Sequence, residues 1–165
     1  MLFRSAAPDS LLATAGLEGK SGREIVEALD QLSSPRPLPV MGSVRYDHVI
    51  LSDGKGEETV PIDGDEFYIS IAPYETATHD CYFHNVGTCQ GELSGEDIHV
   101  TITTDSGEVL VDDSLTTFDN GFVGLWLPRG IDATVTVEHD GKTASSPITT
   151  KGDEAATCVT TLHLA

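Results

Sequence analysis

Two of the chain's three cysteines and two of its six histidines fall in one short stretch, HDCYFHNVGTC at residues 79–89. Thiols are soft, oxidisable ligands, so such a cluster reads as a metal site, a disulfide loop or a nucleophile beside its base. Seven residues separate Cys81 from Cys89, and Asn85 and Gly87 between them let the chain bend back until the sulfurs approach. If a strand runs through His79 to Phe83, His79 and Cys81 share a side; if the chain turns helically after Cys81, His84 joins the Cys81 side instead. Thiol-hydrolase chemistry fits poorly, because no oxyanion-type glycine turn leads into a helix after either cysteine, and two thiols this close favour pairing. The third thiol, Cys158, lies near the C-terminus. An odd count allows one pair plus a free thiol, or three thiols sharing something.

In TCVTTLHL a regular strand places Cys158 on one face with Leu162 and Leu164, an apolar row, and His163 on the other. Spacing alone therefore makes Cys158 a buried structural cysteine as readily as a ligand. Thiolates with an imidazole and no carboxylate cluster suit soft or borderline ions, Cu(I) first and Zn(II) second.

Two other motifs fail on their own terms. GLEGKSG (residues 16–22) ends like a phosphate-binding loop, but Thr14 stands where the first glycine is needed and the preceding pattern is helical. It reads as a helix-loop-helix turn. DDSLTTFDNG (residues 112–121) lacks the alternate spacing and closing glutamate of a calcium loop and reads as a turn.

The elements that must position the cysteines change character along the chain. Leu11, Leu12 and Ala15, then Ile25, Val26, Leu29 and Leu32, recur at three- and four-residue steps, predicting two short helices broken around residues 16–22. Ser21 three residues before Glu24 is a capping box for the second. SSPRPLPVMG (residues 33–42) is a stiff extended connector. Beyond it, VRYDHVIL, EFYISIA, IHVTITT, GFVGLWL, ATVTVEH and CVTTLHL read as strands, with turn signals at Asp53-Gly54, Asp63-Gly64, Ser106-Gly107 and Asp140-Gly141. The expected fold is α+β: a small N-terminal helical region with its proline-rich connector at 1–40, then a mainly antiparallel β domain, sandwich or open barrel, at 41–165.

Nine Lys and Arg against 27 Asp and Glu give a net charge of −18, spread along the chain. That field repels nucleic acid and anionic membrane surfaces, attracts cations, and serves solubility. MLFRSAAPDS shows no apolar export segment, and no run long enough to span a membrane appears, so no membrane insertion is expected.

The block FYISIAPYETATHDCYFHNVGTCQGEL (residues 67–93), with GFVGLWLPRG, the EHDGK turn, the terminal TCVTTLHL and the N-terminal GLEGKSGREIVEALD, resembles the CueP family of bacterial periplasmic copper-binding proteins over nearly the whole chain. The resemblance implies an extracytoplasmic protein, its export signal removed, that binds copper and can bind zinc through Cys81, Cys89 and Cys158. His79 and His84 carry over as further ligand candidates. It also implies a homodimer formed through the N-terminal region. His163 departs from the family pattern and inherits no role. Cu(II) is reduced by thiolates, so Cys81 and Cys89 are expected to form a redox pair, with Cys158 and a histidine holding Cu(I). A copper-binding protein that passes Cu(I) to a receiving partner, and a copper reductase recharged by an external thiol reductant, both fit. A disulfide-tied β-sandwich binding module without a metal is the alternative.

Overall fold

The computed structural model describes residues 11–165. The beginning of the first helical pattern at Asp9 and the reading of residues 1–10 lie outside them. Two helices, α1 (Leu11–Thr14) and α2 (Gly22–Asp30), precede ten strands: β1 (Met41–Val44), β2 (His48–Ser52), β3 (Glu57–Pro61), β4 (Glu66–Ile71), β5 (Asp97–Thr104), β6 (Val109–Thr116), β7 (Val123–Pro128), β8 (Asp132–His139), β9 (Lys142–Thr149) and β10 (Cys158–Val159). The strands form three sheets, ordered β1-β2-β3, β10-β4-β7 and β6-β5-β8-β9. Every pairing is antiparallel except β10 with β4. This is the expected α+β fold, with its β part a sandwich.

The central sheet is covered on both faces, which is why β4 reads as a nearly continuous buried run. Phe67, Ile69 and Ile71 point into the core shared with Val100, Ile102, Val135 and Val137 of the four-stranded sheet. Tyr68, on the opposite face of the pleat, packs with Ile25, Val26 and Leu29 of α2 and with Val44, Val49 and Leu51. The capping box on α2 is present: Glu24 N–H donates to Ser21 Oγ, and Ser21 N–H to Glu24 Oε1. Trp126 Nε1 donates to Glu27 Oε2 at 2.8 Å, and the Arg23 guanidinium lies 4.2 Å above the indole. These contacts fasten α2 across the outer face of the central sheet. Across β4 and β7, Ser70 pairs with Gly124. A side chain at Gly124 would overlap the Tyr68 phenol, so the glycine leaves that ring the room it occupies.

Three readings need correction. VRYDHVIL is a hairpin, with Val44 paired to Val49 and Arg45 N–H donating to His48 O at 2.9 Å. DDSLTTFDNG is a turn only in its second half, because Asp112 to Thr116 complete β6. This edge strand is held by its ladder to β5 and by Leu110, Val111 and Leu115 against the core, without a regular apolar alternation. CVTTLHL forms a ladder only at its first two residues. Period two therefore does not extend along it: Leu162 and Leu164 enter the main core, while Cys158 packs with Ala72, Cys89 and Phe122.

Candidate metal centre

The segment carrying His79, Cys81, His84 and Cys89 is irregular backbone between β4 and β5, pinned from three sides. Val44 N–H donates to His84 O and Val86 N–H to Gly42 O, so the segment runs beside β1. Asn85 Oδ1 accepts from Gly42 N and Gly87 N, and a Cβ at Gly87 would stand 2.8 Å from Met41 Cα, so only glycine passes there. A single helical turn, closed by Cys89 N–H to Asn85 O at 3.1 Å, brings Cys89 back under the chain. Neither alternative for this stretch is realised: residues 79–84 form neither strand nor helix, and the helical turn begins only after His84.

Cys158 arrives by topology. β10 lies parallel to β4, with Ser70 N–H donating to Thr157 O and Ala72 N–H to Val159 O. Tyr82 O accepts from both Thr157 N and Cys158 N, and His84 N–H donates to Thr157 Oγ1 at 2.8 Å. The C-terminal strand is stitched directly to the cysteine loop.

The result is two overlapping groups. His79, Cys81 and Cys89 form one, and His84, Cys89 and Cys158 the other; within each, the candidate ligand atoms lie within 4.8 Å of one another. Cys89 belongs to both. Its Sγ is 3.5 Å from Cys81 Sγ, and Cys158 Sγ is 3.9 Å from His84 Nδ1. All three cysteines are free thiols. His79 is exposed and His84 fully buried, each with its ring against Phe122. His163 stacks on Tyr74, and its Nε2 meets Glu75 O, outside both groups.

One participant was not anticipated. Asp30, the last residue of α2, is fully buried, and its carboxylate accepts from His84 Nε2 at 2.8 Å, Asn120 Nδ2 at 2.7 Å and Tyr68 Oη at 2.6 Å. A carboxylate only accepts, so His84 Nε2 carries a proton and Nδ1 faces Cys158. The signal was available: Asp30 lies four residues after Val26, on the buried face of α2, at the helix end where a negative charge is unfavourable. The Arg36 guanidinium covers that end, donating to Leu29, Asp30, Leu32 and Ser34 carbonyls.

Charge is sorted accordingly. Burial acts to lower the His84 pKa, but the charge and hydrogen bond of Asp30 outweigh it and hold the imidazole well above its ordinary value. Burial likewise acts to raise Asp30, and His84, Tyr68 and Asn120 together bring it below the usual carboxylate value. Hydrogen bonds from Cys158 and Cys81 push the Cys89 thiol down, and the same proximity to Cys81 and Cys89 pushes Cys158 up.

These directions set a pH dependence for the metal-free protein. The His84 contribution is complete below the ordinary 6.5 and is lost as pH rises through the raised value. The Asp30 contribution is complete above 3.8 and is lost as pH falls through the lowered one. The stability gap between wild type and Asp30→Asn, from denaturant unfolding, is therefore expected to be widest between 3.8 and 6.5 and to narrow on either side. A gap that grows steadily above 6.5 would contradict the assignment.

Fold and site define a β-sandwich protein whose clustered cysteines and histidines could hold a metal ion. A family profile described as periplasmic copper-binding protein CueP matches residues 24–163. The chain belongs to this CueP family. The structure is similar to a crystal structure of "S.CueP", with a TM-score of 0.91 and 41% sequence identity, covering 100% of this chain and 99% of that one. The comparison with curated proteins found no match. Membership agrees with the resemblance read from residues 67–93 and with the periplasmic location it implied. Among the described residues no helix is long and apolar enough to cross a membrane.

Proposed function

We propose that this protein binds Cu(I) through Cys81, Cys89 and Cys158, with His84 or His79 completing the site and Zn(II) as the competing ion. The observation that carries this is the position of Cys89, common to both ligand groups. Sulfurs about 2.3 Å from one ion at trigonal or tetrahedral angles stand about 3.8–4.0 Å apart. The 3.5 Å between Cys81 and Cys89 supports a shared ion with a shift of only a few tenths of an ångström. Three thiols and imidazole with no carboxylate in either group favour the soft ion.

The same pair is suited to reduce Cu(II). Cys81 and Cys89 would give one electron each to two Cu(II) ions, forming one S–S bond and two Cu(I), with any remaining thiol protons released to solvent. Cys158 and His84 would retain a product ion, and an external dithiol would return the pair to thiols. Homodimerisation and transfer of Cu(I) to a receiving protein belong to this proposal.

The test is to add Cu(II) anaerobically to the reduced protein, follow Cu(I) with a chelating dye and count remaining thiols. Two Cu(I) formed for each pair of thiols lost is expected. Neither Cu(I) nor thiol loss would remove the reductase reading while leaving Cu(I) binding intact.

A further inference from the structure

At the end of β8, outside the cysteine groups, the His139 side chain is only 6% exposed. Its Nδ1 lies 2.9 Å from the carbonyl oxygen of Asp97. A carbonyl only accepts, so Nδ1 carries a proton and Nε2 is the ring atom left to face outward. No hydrogen bond reaches that nitrogen among the described residues. It is aimed instead at three carboxylates: Asp140 Oδ2 at 3.4 Å, Glu96 Oε1 at 3.6 Å and Glu75 Oε2 at 4.0 Å.

These separations exceed the about 2.7–3.2 Å of a hydrogen bond. They lie between the about 2.8 Å and about 4.0 Å that separate neighbouring and opposite N and O ligands about 2.0 Å from a tetragonal ion, and near the about 3.4 Å of a tetrahedral one. One ligand atom each from Glu75, His139 and Asp140 lies within 4.8 Å of the other two. Glu75 is held in place on both sides, its N–H donating to Glu92 Oε2 and its carbonyl accepting from His163 Nε2. Lys142 Nζ stands 3.4 Å from the other oxygen, Glu75 Oε1, so one lysine faces three carboxylates and the cluster keeps an excess of negative charge.

We propose that Glu75, His139 and Asp140, with Glu96 alongside, form a second cation site, separate from the cysteines, that takes a borderline divalent ion, Cu(II) ahead of Zn(II). One buried imidazole with carboxylates is the donor set such ions favour, and the stability order of divalent ions places Cu(II) first. The site contains no thiol, so the ion it takes keeps its oxidation state.

The test uses the full chain with Cys81→Ser, Cys89→Ser and Cys158→Ser combined, titrated with Cu(II) and followed by pulsed electron paramagnetic resonance. One Cu(II) per chain coupled to a single imidazole nitrogen is expected, and adding His139→Gln should weaken binding about tenfold or more. Because His139 is buried, the pair Glu75→Gln with Asp140→Asn repeats the test from the surface, with the same expected loss. Unchanged affinity and spectrum in both variants would overturn the proposal. Every arm is free of thiols, so failure here and failure of the cysteine reading are separate results.

Discussion

Serine at position 89 is expected to cost this protein more metal affinity than serine at either of the other two cysteines. Cys89 is the one thiol common to both ligand groups. Cys81→Ser leaves His84, Cys89 and Cys158 together, and Cys158→Ser leaves His79, Cys81 and Cys89. Only Cys89→Ser breaks both. The loss should exceed the about 10–100-fold that removal of an outer-shell partner costs. Competition against a Cu(I) chelator measures it. Equal losses for all three variants would leave the three-sulfur site standing but remove the special place of Cys89; a milder loss for Cys89→Ser than for Cys158→Ser would contradict the account. The reductase reading predicts in addition that Cys81→Ser and Cys89→Ser abolish Cu(I) production from Cu(II), whereas Cys158→Ser retains it.

The second large effect lies at the end of α2. Asp30→Ala leaves the buried His84 facing no carboxylate, strips Tyr68 of its carboxylate acceptor, and leaves Asn120 only the Asp30 backbone carbonyl. Breaking one side of a buried ion pair costs about 3–5 kcal/mol, a large part of the about 5–15 kcal/mol that holds a domain folded. Thermal unfolding near neutral pH should therefore fall by about 10 °C. Asp30→Asn keeps the shape and separates two roles. Its amide oxygen can still accept one hydrogen bond, so stability should recover in part, but the charge that fixes the His84 tautomer is gone. Metal affinity should then stay about 10–100-fold below wild type. Full recovery of affinity with Asn would make Asp30 a packing residue only.

Asp30 also shows where reading the residues stopped short. Periodicity located both helices, the capping box and the order of helices, connector and strands, because apolar spacing and turn chemistry are local. It missed β3, β6 and β9, whose polar residues interrupt any apolar alternation and whose strand character comes from pairing with β2, β5 and β8. The site divided in the same way. HDCYFHNVGTC was visible as a cluster, but the approach of Cys158 depends on a two-residue parallel ladder to β4, a contact between distant parts of the chain. Periodicity drew Cys158 into line with Leu162 and Leu164, and only the short ladder and the irregular chain beyond it turn the thiol toward Cys89. The link from α2 to His84 was harder still. It joins residues from four elements and loops, and its one local sign was a carboxylate placed on an apolar face at the wrong end of a helix.

The proposed site gathers Cys81, Cys89 and the distant Cys158 around one soft ion. X-ray absorption at the copper edge, on wild-type protein loaded with one equivalent of Cu(I) and kept anaerobic, tests it most directly. The account predicts a Cu(I) edge with a first shell of sulfur from more than one cysteine and at most one light-atom neighbour, and a shell that loses sulfur in Cys158→Ser. A first shell of nitrogen and oxygen, or one unchanged by Cys158→Ser, would contradict it.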